Sequence, residues 1–173
     1  MLERVPFVRD FAVSNRSFLR RAVRWLSQQG IRQFVDIGSG IPTVGNVHEV
    51  ADPSARTLYV DHEPVAVAHA RTILDRTDPD RRNTAVLQAD LRAPDDVLGS
   101  GLIDFDRPIG LLIVATPGYF RDRAEVSALF DGFELVDPGI TWAPEWCPDQ
   151  HEHVDPAATA TLVGIGRKLP SRR

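Results

Sequence analysis

Cysteine and lysine are almost missing from this chain. Cys147 is the only cysteine in 173 residues, so no internal disulfide can form, and a reducing cytoplasm fits. Lys168 is the only lysine; the remaining positive charge is arginine, which reads as a base-composition bias rather than chemistry. A net charge of -4 and a pI of 5.7 argue against a nucleic-acid binder working through a broad basic face. They leave a small nucleic-acid substrate open. No apolar run is long enough to span a bilayer, and the opening MLERVPFVRDF lacks the long apolar stretch of a signal peptide. There are no internal repeats and no low-complexity stretch.

What is present suits one globular domain over 1–173, with a lead-in at 1–13 and a loose tail at 170–173. Residues 14–29 predict a helix. Phe18, Ala22, Trp25 and Leu26 form its apolar face, and Arg16, Arg20, Arg21 and Arg24 form a solvated basic face. Ser14 or Asn15 caps its start and Gly30 stops it. IRQFVDIG predicts a buried first strand. Residues 44–51 predict a helix closed by Asp52-Pro53. TLYVDHE (57–63) is a second strand, and Pro64 opens the helix PVAVAHARTILDR. TAVLQADLR (84–92) and RPIGLLIVA (107–115) are the third and fourth strands. A short helix at 122–131 follows, then a strand-like segment at 133–144 broken at Pro138-Gly139, and a last strand at 160–169.

Strands alternating with helices predict an α/β protein with a mostly parallel sheet, whose ligand sits outside the carboxyl ends of the strands. Asp36 with Gly38, Asp61, and Asp90 all fall at such ends, so one site can see all of them. Gly38 and Gly40 let a ligand approach bare backbone. A dinucleotide fingerprint wants a third glycine where Thr43 stands, and a phosphate-cradling loop wants Gly-Lys-Ser/Thr, which is absent. Asp61 lies 21 residues after Gly40, an offset at which a carboxylate can take both hydroxyls of a ribose. Asp90 can accept from an exocyclic amine such as that of adenine. Ribose and adenine without a pyrophosphate grip point to an adenosine-type cofactor such as S-adenosyl-L-methionine (SAM), with Asp36 near its ammonium. Read singly, each acid is equally well a loop cap.

The segments NRSFLRRAVRWL, GIRQFVDIGSGIPTVGNVHEVA, YVDHEPVAVAHAR, VLQADLR, IDFDRPIGLLIVA and FDGFELVDPGI carry a resemblance. They resemble class I SAM-dependent methyltransferases and, more narrowly, the bacterial S-adenosyl methyltransferases once catalogued as a domain of unknown function. The resemblance implies a Rossmann-like sheet, mostly parallel with an antiparallel last strand. It implies SAM as cofactor, with Asp36, Gly38, Ser39 and Gly40 as the first SAM motif. Asp61, with His62 beside it, would hold the ribose, and Asp90 and Leu91 would bound the adenine. Asn46 and His48 belong to the family-specific loop and are expected to face the cofactor, a packing role at the helix start being the alternative for His48. Ala115, ending the fourth strand, is placed with the cofactor-binding residues.

Two departures from the family pattern stand out. Family members usually carry an N-terminal extension before NRSFLRRA, and this sequence is expected to start almost at that helix. After Ala115 the chain passes through TPGYF directly to RDRAEVSALF, where the family has a helix and a fifth strand. The usual fifth strand is therefore expected to be lacking. The fourth strand must then pair with one of the last two strands, or another chain must cover its edge. A rearranged compact sheet and a homodimer are the two outcomes.

Other candidate chemistry is thin. Thr116-Pro117-Gly118-Tyr119 lacks the Asn of the amine-methylating Asn-Pro-Pro-Tyr loop and reads as a turn. Cys147, His151 and His153 do not follow a zinc spacing, and no metal is expected. His48-Glu49 does not start a His-Glu-x-x-His motif, because position 52 is Asp. Trp142 and Trp146 read as core or rim packing. No catalytic residue is identified, and none is demanded: the sulfonium is already activated, so alignment and desolvation can carry the rate. The expectation is a SAM-dependent methyltransferase acting on a small-molecule acceptor. The alternative is a degenerate, non-catalytic SAM-binding or scaffold homologue. A nicotinamide-dependent oxidoreductase is disfavoured by the missing third glycine.

Overall fold

The structure is a computed structural model and describes residues 6–42, 45–80, 83–90, 93–114, 123–128, 130–148 and 161–168, without the side chains of 6–11 and 168. Contacts within the chain divide it into two units, one of Leu19–Val114 and one of Met1–Phe18 with Ala115–Arg173. Helix α1 (Pro6–Gln28) contributes to both.

Helix α1 starts at Pro6, not at Ser14 or Asn15 as the capping pattern suggests. Proline suits a first helical turn. The helical spacing of Phe7 and Phe11 continues through Phe18 and Ala22, but Ser14 and Asn15 interrupt it and resemble a cap in sequence. Both are buried inside the helix. Of the four arginines assigned to a solvated face, Arg21 is buried.

Four parallel strands form the sheet of the 19–114 unit: β1 (Gln33–Ile37), β2 (Arg56–Asp61), β3 (Thr84–Gln88) and β4 (Gly110–Ile113), in the order β3-β2-β1-β4. Register runs Val35 to Leu58 and Leu111, and Asp36 to Tyr59 and Leu112. Alternation along the strands builds two cores. Phe34, Tyr59 and Leu112 pack with Leu19, Val23, Val47 and Leu74 on one face. Val35, Ile37, Leu58 and Val60 pack with Val97 and Ile103 on the other. Burial on both faces is why β1 and β2 read as unbroken apolar runs.

Three helices connect these strands: α2 (Val47–Val50), α3 (Pro64–Thr77) and α4 (Pro94–Leu98). The sequence pattern had not marked α4, a single short turn opened by Pro94. Gln33 ties the approach to β4: its amide donates to Asp104 O at 3.0 Å and its Oε1 accepts the Asp104 N–H at 2.9 Å.

Among its described residues the other unit carries α5 (Arg123–Ala128) and four short strands, β5 (Phe133–Leu135), β6 (Thr141–Trp142), β7 (Leu162–Val163) and β8 (Gly166–Lys168). The single strand expected at 160–169 is split in two. β5 pairs antiparallel with β8, and β6 pairs antiparallel with β7. Antiparallel last strands are thus present among the described residues, paired with β5 and β6. Among the described residues β4 is paired on one side only, to β1. Trp146 is fully buried, its ring edge-on to Phe18 at 5.7 Å, which makes it a core residue. Among the described residues no helix is long and apolar enough to cross a membrane.

Candidate functional site

In the order β3-β2-β1-β4 the chain first winds outward from β1 to β3, then returns to the other side of β1 for β4. That reversal is the switch point where ligands of open parallel sheets bind. Beyond Ile37 the chain turns across the end of β2: Gly38 and Ser39 both donate N–H bonds to Val60 O, at 2.8 and 3.2 Å. Gly38 and Gly40 have φ values of 68° and 63°, the left-handed region that glycine enters without strain. A side chain at Gly40 would meet nothing within 4 Å, so the backbone here faces open space.

Asp61 organises the strand ends. Its Oδ2 accepts the Gly40 N–H at 2.8 Å, and its Oδ1 accepts the Glu63 N–H at 2.9 Å. Its own carbonyl accepts the Ala89 N–H at 3.1 Å, joining the exit of β3. The side chain is buried, yet an ionised carboxylate has about four acceptor positions. Each oxygen therefore keeps capacity after its backbone bond, which fits a ligand presenting two neighbouring hydroxyls.

His62 is half exposed, with Nδ1 3.7 Å from Asp61 Oδ1 and Nε2 3.1 Å from Glu63 Oε1. Gln88 Nε2 donates to His62 O at 3.4 Å, a second link between the ends of β2 and β3. Asp36 is buried near the end of β1, in register with Tyr59 and Leu112. Asp90 follows β3, half-buried, with its carbonyl accepting the Ala93 N–H at 2.9 Å. Asp36, Gly38, Ser39, Gly40, Asp61, His62 and Asp90 thus all belong to the carboxyl ends of β1, β2 and β3. Leu91, Ala115, the 116–119 turn, His151 and His153 lie outside the described residues.

Asn46 and His48 are held differently. Asn46 is buried at the start of α2, and the Glu49 carboxylate binds it twice: Oε2 accepts the Asn46 N–H and Oε1 the Asn46 Nδ2, both at 3.1 Å. The same Oε2 accepts the Gly45 N–H at 2.7 Å. His48 turns to β2. Its N–H donates to Tyr59 OH at 3.2 Å, and its Nδ1 lies 2.6 Å from the same hydroxyl. Burial holds the His48 imidazole below its ordinary value, against the raising influence of Glu49 and Asp78.

Glu49 and Tyr59 had not been singled out from sequence. A signal existed for each. Asn-x-x-Glu at 46–49 is the spacing of a helix-start capping box. A tyrosine inside a buried strand needs a partner for its hydroxyl.

Comparison with known proteins agrees with this geometry. A family model described as S-adenosyl methyltransferase matches residues 1–122 and 115–169, two stretches that overlap at 115–122. A candidate methyltransferase from Thermobifida fusca YX is 32% identical, with a TM-score of 0.81 over 94% of this chain and 83% of that one. A DUF574 family protein from Streptomyces avermitilis MA-4680 is 27% identical, with a TM-score of 0.80 over 90% and 83%. The magnesium protoporphyrin IX methyltransferase of Synechocystis PCC 6803, solved with bound SAM, shares the fold at 15% identity, with a TM-score of 0.54 over 78% and 76%. No curated protein matches the chain. The glycine turn, the acids at the strand ends and a family match running the length of the chain lead to one conclusion: this chain belongs to the S-adenosyl methyltransferase family, whose cofactor is S-adenosyl-L-methionine.

Proposed function

We propose that this chain is a methyltransferase acting on a small-molecule acceptor, with SAM lying across the carboxyl ends of β1, β2 and β3. The observation that carries this is the Asp61 carboxylate, bonded to the Gly40 and Glu63 amides and still able to accept. Asp61 takes the ribose hydroxyls, with His62 beside it. Gly38, Ser39 and Gly40 give the backbone along which the methionine part runs, and Asp36 favours its ammonium. By the family resemblance Asp90 and Leu91 bound the adenine and Ala115 belongs with the cofactor-binding residues, and Asn46 and His48 act from the far end of the glycine turn.

When bound, the cofactor supplies a methyl group on a sulfonium that needs no further activation. The work left to this chain is to align the acceptor and exclude water. We assign no general base. A net charge of -4 favours a small acceptor over a polyanion. The family match enters both contact units, which supports one methyltransferase domain over 1–173. A single cysteine supports a cytoplasmic setting. The one-sided pairing of β4 among the described residues supports a homodimer, which sedimentation of the purified chain would detect.

Calorimetric titration with S-adenosylhomocysteine, beside Asp61→Ala, tests the cofactor site. Binding of about micromolar strength that is lost in the variant supports it. No binding to the intact chain at about millimolar ligand refutes it. Binding without methyl transfer to any of a broad set of acceptors would favour the non-catalytic homologue.

A further inference from the structure

We propose that His48 and Tyr59 are positioning residues that latch the far end of the glycine turn onto β2. This rests on the cofactor site proposed above and adds a part to it.

The turn after β1 is anchored at two places, both on β2. The near anchor is Gly40 N–H on the Asp61 carboxylate. The far anchor runs through α2. Glu49 gathers the Gly45 N–H, the Asn46 N–H and the Asn46 amide onto one carboxylate, which fuses the end of the turn to the start of α2. A helix of only four residues cannot hold itself in place, since a lone helical turn is unstable without tertiary contacts. The contact is His48. Its backbone N–H and its Nδ1 both reach Tyr59 OH, and the two rings meet edge-on at 5.9 Å and 90°. In either imidazole tautomer one of the pair donates and the other accepts, so the short contact is always matched. Val47, fully buried, packs in the same core as Tyr59 and adds non-directional support.

Spacing along β2 makes this a latch for the site. Tyr59 and Asp61 are two residues apart on one strand, so they project to the same face. One face of β2 therefore holds both anchors. Gly45 adds a steric guide, since a side chain there would come within 3.1 Å of Arg20 Cδ. Among the described residues His48 Nε2 is buried with no hydrogen-bond partner. An apolar residue would avoid that cost, so packing alone does not explain a histidine here. Nδ1 and its bond to Tyr59 do.

Tyr59→Phe removes the two bonds to His48 and keeps the ring. His48→Asn keeps the backbone bond and places a polar atom near the Nδ1 position, and His48→Leu keeps only the backbone bond. Two quantities are read for each: amide exchange at Gly45 and Asn46 in the free protein, and the dissociation constant for S-adenosylhomocysteine. In Tyr59→Phe the two amides exchange about ten-fold faster and the ligand binds about ten-fold more weakly, as expected for two ordinary hydrogen bonds. His48→Leu moves both readouts the same way, and His48→Asn restores most of each. Unchanged exchange at Gly45 and Asn46 in Tyr59→Phe overturns the latch, whether or not the ligand binds. Faster exchange with unchanged affinity reduces the pair to a structural contact. Absence of ligand binding in the intact chain would instead overturn the cofactor site, leaving the exchange result to decide the latch.

Discussion

Asp61 Oδ2 lies 2.8 Å from the backbone nitrogen of Gly40, so the acid that ends β2 also holds the turn that follows β1. The two residues are 21 positions apart in the chain. One carboxylate thereby shapes the turn and remains able to hold a ligand.

Substitution of Asp61 should therefore damage fold and site together. Asp61→Ala frees two amides, and bonds to a charged group are worth roughly 1.5–3 kcal/mol each, so a loss of about 3 kcal/mol is expected. Asp61→Asn keeps an acceptor oxygen and should lose about half of that. Denaturant midpoints measure the stability, and titration with S-adenosylhomocysteine measures the site. A stable Asp61→Ala that binds normally would remove Asp61 from the site.

Gly40→Ala should separate the two effects. Nothing lies within 4 Å of the new methyl, but φ is 63°, so the strain costs about 1 kcal/mol. The fold survives and the methyl fills space where a ligand would approach. Affinity for S-adenosylhomocysteine should drop more than the stability loss accounts for.

Gly110→Ala should act on stability alone. Its Cβ would stand 2.7 Å from Phe34 Cδ1 in a fully buried ring, an overpacking worth about 1–3 kcal/mol. Adding Phe34→Leu should recover part of the loss, and thermal unfolding of both variants checks it.

Acid should loosen α2 through His48. Its imidazole is held below the ordinary 6.5 by burial, so the unfolded chain takes up the proton first as pH falls. This contribution to stability is intact above about pH 6.5 and declines as pH drops below it toward the folded value. Denaturant midpoints at about pH 7.5 and pH 5.5 should differ more for the native chain than for His48→Asn. Equal differences would exclude His48 as the source.

The legible parts of this protein were those written locally. IRQFVDIG announced a buried strand because parallel strands covered on both faces contain few polar residues, and TLYVD and TAVLQAD read as strands ending in an acid. Gly38, Asp61 and Asp90 stood out because glycine and acid mark where such strands stop. Ser14 and Asn15 misled, since two polar residues inside a buried helix look like a cap. Residues 160–169 read as one strand because their apolar pattern is continuous. Their partners β5 and β6 lie on separate segments, so pairing cuts the run in two.

By itself, then, the sequence determined a parallel α/β sheet with acids at its carboxyl ends, because hydrophobic period and turn chemistry are properties of neighbouring residues. Only the tertiary structure decided that Asp61 holds Gly40, that Glu49 binds the end of the turn to α2, and that His48 closes on Tyr59. The Asp61–Gly40 and His48–Tyr59 contacts join residues on different elements, and a hydrogen bond depends on distance and direction in space, which spacing along the chain does not carry.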